Sequence, residues 1–74
     1  MKLTKRQKEI VEIVKKDQPV SGEKISELLD VSRATLRSDL SFLTLVGILK
    51  ASPKVGYTYA GSDLEMLFFF DTFQ

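Results

Sequence analysis

Ile10, Val11, Ile13 and Val14 form one apolar stripe at helical spacing, with Lys and Glu on the opposite face. Thr4 and Gln7 stand three residues apart at its start, the spacing of a capping box in which each side chain satisfies a free backbone N–H. A first helix is therefore predicted from Thr4. Asp17-Gln18-Pro19 ends it, because proline biases the residue before it away from helical geometry. Pro19-Val20 leaves room for one short edge strand. Ser21 caps a second helix over roughly Gly22 to Leu29, with Ile25, Leu28 and Leu29 facing inward. Asp30-Val31 turns the chain, Val31 plugs the core, and Ser32 caps a third helix in which Leu36, Leu40 and Leu43 share a face. Gly47 closes that helix where a left-handed residue is usual.

After Gly47 the pattern changes. Ile48-Leu49-Lys50-Ala51-Ser52 and Tyr57-Thr58-Tyr59 read as short strands around Pro53-Lys54-Val55-Gly56, a placing of Pro and Gly that suits a hairpin turn. The expected fold is mainly α with a small β-hairpin: a winged helix-turn-helix of three helices plus a wing, over residues 1–61. Gly61-Ser62 then punctuates the chain. Ser62 and Glu65 make a second capping box, opening an apolar C-terminal helix from Asp63 to Phe73, with residues 62–74 as a linker or dimerisation segment.

The third helix carries the chemistry. Two short helices joined by a tight turn, the second bearing arginine among small side chains, suit a DNA major groove. Small residues let the backbone approach, and arginine can fork onto guanine edges or phosphates. Ser32, Arg33, Ala34, Thr35, Arg37 and Ser38 are the candidate recognition-helix contacts. Which arginine reads a base and which holds a phosphate stays open at this level. Lys54, Gly56 and Tyr57 on the wing, with Lys5 and Ser21, are the candidate wing and phosphate contacts. The plainer roles stand beside these: arginines on a solvated face, and edge lysines that keep a hairpin soluble. Asp39 has no evident acid/base partner and reads as a structural residue pairing with a nearby base or backbone group.

Charge sharpens this picture by its distribution. The chain is close to neutral as a whole, at +1. All eleven Lys and Arg lie within residues 1–61 beside seven acids, a net +4, while residues 62–74 hold three acids and no base. A basic body with an acidic, aromatic tail fits a binding domain joined to something chemically different. The chain has no Cys and no His, which excludes thiolate and imidazole metal sites, disulfides, Cys nucleophiles and His-based acid/base pairs. No catalytic constellation, metal site or cofactor is expected. No apolar run approaches the ~20 residues of a membrane span, and no signal peptide is visible. The expectation is a cytoplasmic protein without a membrane partner.

Thr35-Leu36-Arg37-Ser38-Asp39-Leu40, followed by Leu43 and Gly47, resembles the helix-turn-helix of DeoR-type bacterial regulators. The longer run through Asp39-Leu40-Ser41-Phe42-Leu43-Thr44-Leu45, Gly47 and Pro53-Lys54-Val55-Gly56-Tyr57 is similar to the CcpN-like catabolite-control repressors of Gram-positive bacteria. The resemblance covers about residues 3–61. It implies an N-terminal winged helix that binds double-stranded operator DNA as a repressor, with C-terminal CBS domains that sense adenine nucleotides. It carries DNA contact onto Ser32, Arg33, Thr35 and Arg37, and wing contact onto Lys54, Gly56 and Tyr57. Nothing after Phe73 could form a CBS pair, so such effector-sensing domains would be missing from this chain.

Two apolar sets call for a partner. Met66, Phe69, Phe70 and Phe73 lie in the tail, and Phe42 and Leu45 lie on the side of the third helix away from Leu36 and Leu40. Soluble monomers rarely leave large apolar patches bare, so these six residues are the candidate interface of a homodimer, the plainer role for the tail being a final helix that covers the domain's own core. The alternative function is a winged-helix protein–protein interaction module that does not bind DNA. An enzyme would need paired carboxylates or a nucleophile with its base, and neither is evident.

Overall fold

The computed structural model describes residues 3–61 of the chain. Three helices run in order, α1 (Lys5–Asp17), α2 (Gly22–Leu29) and α3 (Arg33–Leu45), followed by the strands β1 (Leu49–Ser52) and β2 (Gly56–Tyr59). Each helix begins as its capping residue requires. The Thr4 and Gln7 side chains complete the box at α1, the Ser21 hydroxyl accepts from the Lys24 N–H, and the Ser32 hydroxyl accepts from the Thr35 N–H. Gln18 ends α1 before Pro19. Asp30, in the left-handed region at φ 54°, ends α2. Gly47, at φ 87°, follows the cap of α3.

β1 and β2 pair antiparallel, Leu49 opposite Tyr59 and Ser52 opposite Gly56. Val20 adds the short third strand as a single bridge to Tyr57, the two residues exchanging both backbone bonds at 3.1 and 2.7 Å. The hairpin is thereby tied to the segment that leads into α2.

One core unites the elements. Ile10, Val11 and Val14 from α1, Ile25 from α2, and Leu36, Leu40 and Leu43 from α3 meet Leu3, Val20, Ile48 and Leu49. Val31, Ile13 and Leu29 pack against this cluster from its margin. Leu28 departs from the expected pattern. It is 50% exposed, because a helix of only eight residues presents Ile25 alone fully to the interior. Phe42 departs the other way. It is partly buried and packs against the core, so it is not the uncovered residue the helical spacing suggested. Leu45 is uncovered, at 85% exposure. The expected helix from Asp63 to Phe73 lies outside the described residues.

A domain of this length holds only a few kcal/mol of net stability. Leu43→Ala should therefore cost ~2–5 kcal/mol and bring the domain close to unfolding, whereas Leu28→Ala should stay under ~1 kcal/mol. Urea denaturation of both variants checks the contrast, and equal losses would contradict this assignment of the core.

Candidate nucleic-acid interface

The Leu36–Leu40–Leu43 face fixes what α3 shows to its surroundings. Successive residues on a helix turn by about 100°, so Ala34, Ser38, Ser41 and Leu45 point most directly away from the buried leucines. All four are exposed, as are Arg33, Thr35 and Arg37. Arg33 and Arg37 stand one turn apart on the flank nearest α2 and the hairpin. The N-terminal half of α3 is thus a strip of small side chains with two guanidinium groups along one edge. Ser32 serves the helix itself: its hydroxyl accepts from the Thr35 N–H at 3.1 Å and donates to the Thr35 hydroxyl at 2.9 Å. The Thr35 hydroxyl keeps its own proton for an outside acceptor.

The arginines open onto a cleft of about 130 Å³ lined by Gly22, Arg33, Leu36, Arg37, Leu40 and Tyr57. Three elements meet there: the start of α2, the first turns of α3, and the wing strand β2. Gly22 has ordinary room, since a Cβ would sit 3.6 Å from Leu40 Cδ1 and 3.7 Å from Tyr57 Cε2. Ser21, at the cleft's edge in sequence, has its hydroxyl engaged with the Lys24 N–H at 3.1 Å.

The wing owes its position to Gly56. Its φ is +123°, and a Cβ there would lie 2.7 Å from the Val20 carbonyl oxygen. Only glycine lets β2 approach Val20 closely enough to form the bridge that holds Tyr57. Gly56, expected as a wing contact, has this backbone role in the fold. At the tip, Val55 N–H donates to the Ser52 carbonyl at 3.1 Å across a turn with Lys54 at φ 67°. Lys54 therefore stands exposed at the end of the hairpin, in a conformation usually given to glycine or asparagine.

Asp39 shows what the sequence left open. It is the buried charged residue of the described chain, and its partners come from α1: Arg6 Nε donates to Oδ2, and Gln7 Nε2 donates to Oδ1 at 3.2 Å. The hydrogen bond to Asp39, and then its charge, raise the Arg6 pKa, so this guanidinium stays charged and committed. Lys5 is exposed but does not line the cleft with Arg33, Arg37 and Tyr57. It stands instead on an apolar groove between α1 and α2, where openings of about 490 and 390 Å³ share Lys5, Glu9 and Leu29. Of the candidate interface residues, Phe42 is partly buried, Leu45 is exposed, and Met66, Phe69, Phe70 and Phe73 lie outside the described residues. No group of three or more His, Cys, Asp or Glu that could hold a metal occurs among the described residues.

Comparison with known proteins agrees with this geometry. A family model described as HTH domain matches residues 6–58. The transcriptional repressor CcpN of Bacillus subtilis (strain 168) is 52% identical over 61 residues, which is 82% of this chain and 29% of that repressor. The chain thus aligns with less than a third of the relative's length.

The tight approach at Gly56 makes a direct test of the wing. Gly56→Ala should destabilise the domain by about 1–3 kcal/mol, since it forces a side chain into glycine-only backbone against Val20. Val55→Ala, one residue away and exposed, should stay within about 0.5 kcal/mol. Denaturant midpoints measure both, and a neutral Gly56→Ala would remove the bridge as the wing's anchor.

Proposed function

The chain belongs to the HTH domain family, and on that premise we propose that it is a sequence-specific DNA-binding transcriptional regulator acting as a repressor. The observation that carries this reading is the cleft, where Arg33 and Arg37 of α3 converge with Tyr57 of the wing beside a strip of small exposed residues. The strip of Ala34, Ser38 and Ser41 fits a major groove, where small side chains admit the helix and serines can pair with base edges. In this docking Arg33 and Arg37 flank the groove-facing strip on the side of the wing, placed to grip a phosphate or a guanine edge. Lys54 extends the same grip from the wing tip.

Repression is taken from the likeness to CcpN, and the mechanism is occupancy: a domain seated on an operator obstructs polymerase. Effector sensing by CBS domains is no part of the proposal for residues 1–74. The described residues contain no helix long and apolar enough to cross a membrane; the proposal of a cytoplasmic regulator that is not an enzyme rests on the likeness to a transcriptional repressor. The proposed working form is a homodimer joined through the aromatic residues of 62–74 together with Leu45, which would present two recognition helices to half-sites about one DNA turn apart.

A second reading has an observation of its own. Ile13, Leu29 and Val31 border the groove between α1 and α2, and Leu28, next to Leu29 in the chain, is half exposed. That surface would serve a docking module without DNA affinity.

Selection from a random duplex pool separates the two readings: a regulator recovers a consensus, palindromic if it binds as a dimer, and a docking module recovers none. With the recovered sequence, Lys54→Ala should make the slope of log affinity against log salt shallower by about one unit. Arg37→Ala should cost ~1–3 kcal/mol and relax one base position. An unchanged slope with a changed sequence preference would place Lys54 at a base edge, and no change in either would return that lysine to solubility alone. Sedimentation of the intact chain and of a chain ending at Gly61 tests the dimer. A dimer that becomes a folded monomer supports it, and an intact chain that stays monomeric at high concentration refutes it.

A further inference from the structure

Asp39 lies in the middle of the helix that carries Arg33 and Arg37, yet it faces away from their cleft. A buried carboxylate is tolerated only where its oxygens are paired, and here both are served from the first turn of α1, far earlier in the chain. Arg6 donates to one oxygen and Gln7 to the other. Gln7 has a second use. Its Oε1 accepts from the Thr4 backbone N–H at 2.9 Å, while its own backbone N–H donates to the Thr4 hydroxyl at 3.0 Å. One amide thus closes the capping box with its oxygen and holds Asp39 with its nitrogen. A capping box accepts Glu or Gln at this position. A glutamate would close the box equally well, but it has no proton for Asp39 and would set carboxylate against carboxylate. Only an amide serves both ends.

We propose that Thr4, Gln7, Arg6 and Asp39 form a positioning clamp that sets the rotation of α3 against α1, making Gln7 and Asp39 determinants of DNA sequence discrimination without touching DNA. This rests on the DNA-binding reading above. The leucine face alone leaves a helix some freedom to roll, because apolar contact is non-directional. Hydrogen bonds to a carboxylate are directional, and they act here at the turn that follows Thr35. A displacement of about 1 Å carries a base-reading hydrogen bond out of its working range. Contacts to phosphate by long exposed cations tolerate the same displacement. The clamp therefore bears on specific binding far more than on general affinity.

The test uses the full chain and two duplexes, the sequence selected by the wild type from a random pool and a scrambled version of it. Affinities for both, and melting temperatures, are measured for wild type, Gln7→Glu, Asp39→Asn and the double variant that combines the two substitutions. The ratio of selected to scrambled affinity cancels the uniform effect of an added charge. Gln7→Glu should lower that ratio by about tenfold, the effect of one base contact carried out of its working range. The double variant should recover it. Its new amide at position 39 can donate to the new carboxylate at position 7, which still accepts from the Thr4 N–H. Asp39→Asn alone, isosteric and free of carboxylate repulsion, should also lower the ratio, and it decides the matter if Gln7→Glu fails to fold. An unchanged ratio in either single variant, or a double variant that regains its melting temperature without its ratio, overturns the clamp. A wild-type chain with no preference between the duplexes overturns the DNA reading itself, and the clamp with it.

Discussion

Burial of Leu36, Leu40 and Leu43 along one side of α3 is the constraint from which the other features follow. With that side committed to the core, the opposite side is determined by helical geometry alone, and it carries Ala34, Ser38 and Ser41. The same burial brings Arg33 and Arg37 to the flank beside α2 and the wing, and turns Asp39 toward α1. A domain this small has little apolar area to distribute. Ile10, Val11, Val14, Ile25 and Ile48 close around the three leucines, and little else remains to orient the helix. Directional polar contacts complete the arrangement: the Ser32 cap at the start of α3 and the Arg6–Asp39–Gln7 contacts along its length.

The wing depends on the same economy. Two strands of four residues make a marginal hairpin in isolation. Here the bridge between Val20 and Tyr57 fastens β2 to the entrance of α2, and Gly56 makes the approach possible. Tyr57 therefore reaches the cleft from a fixed strand. Gln18 contributes at the other end, its Oε1 accepting from the Tyr59 N–H at 2.9 Å, and Lys15 stacks over the Tyr59 ring. Helix α1 thus braces the wing at its C-terminal end and the recognition helix at its N-terminal end.

Much of this was legible in the sequence because it is local. The caps at Thr4, Ser21 and Ser32, the stop before Pro19, the turn at Asp30 and the left-handed Gly47 are each written within a few residues, and each stands where expected. The candidate DNA residues on α3 were legible for the same reason, since helical spacing fixes which of them face outward. What was not legible is long-range. Nothing near Asp39 names Arg6 and Gln7 as its partners, and the Thr4–Gln7 box accounts for Gln7 so fully that a second use is hidden. Gly56 reads as turn chemistry until Val20 is placed against it. Leu28 and Phe42 have helical spacing that suggests the reverse of their burial, because what covers each of them comes from other elements of the chain.

The central claim is that one face of this domain, made by the first turns of α3, the start of α2 and the wing, meets DNA. Amide chemical-shift mapping during titration of the full chain with a selected duplex tests it most directly. The account predicts the largest shifts at residues 32–38, at 21–24 and at 54–57, with Ile13, Leu28 and Leu29 unmoved. Shifts centred on Ile13, Leu28, Leu29 and Val31, with Arg33 and Arg37 undisturbed, would contradict it.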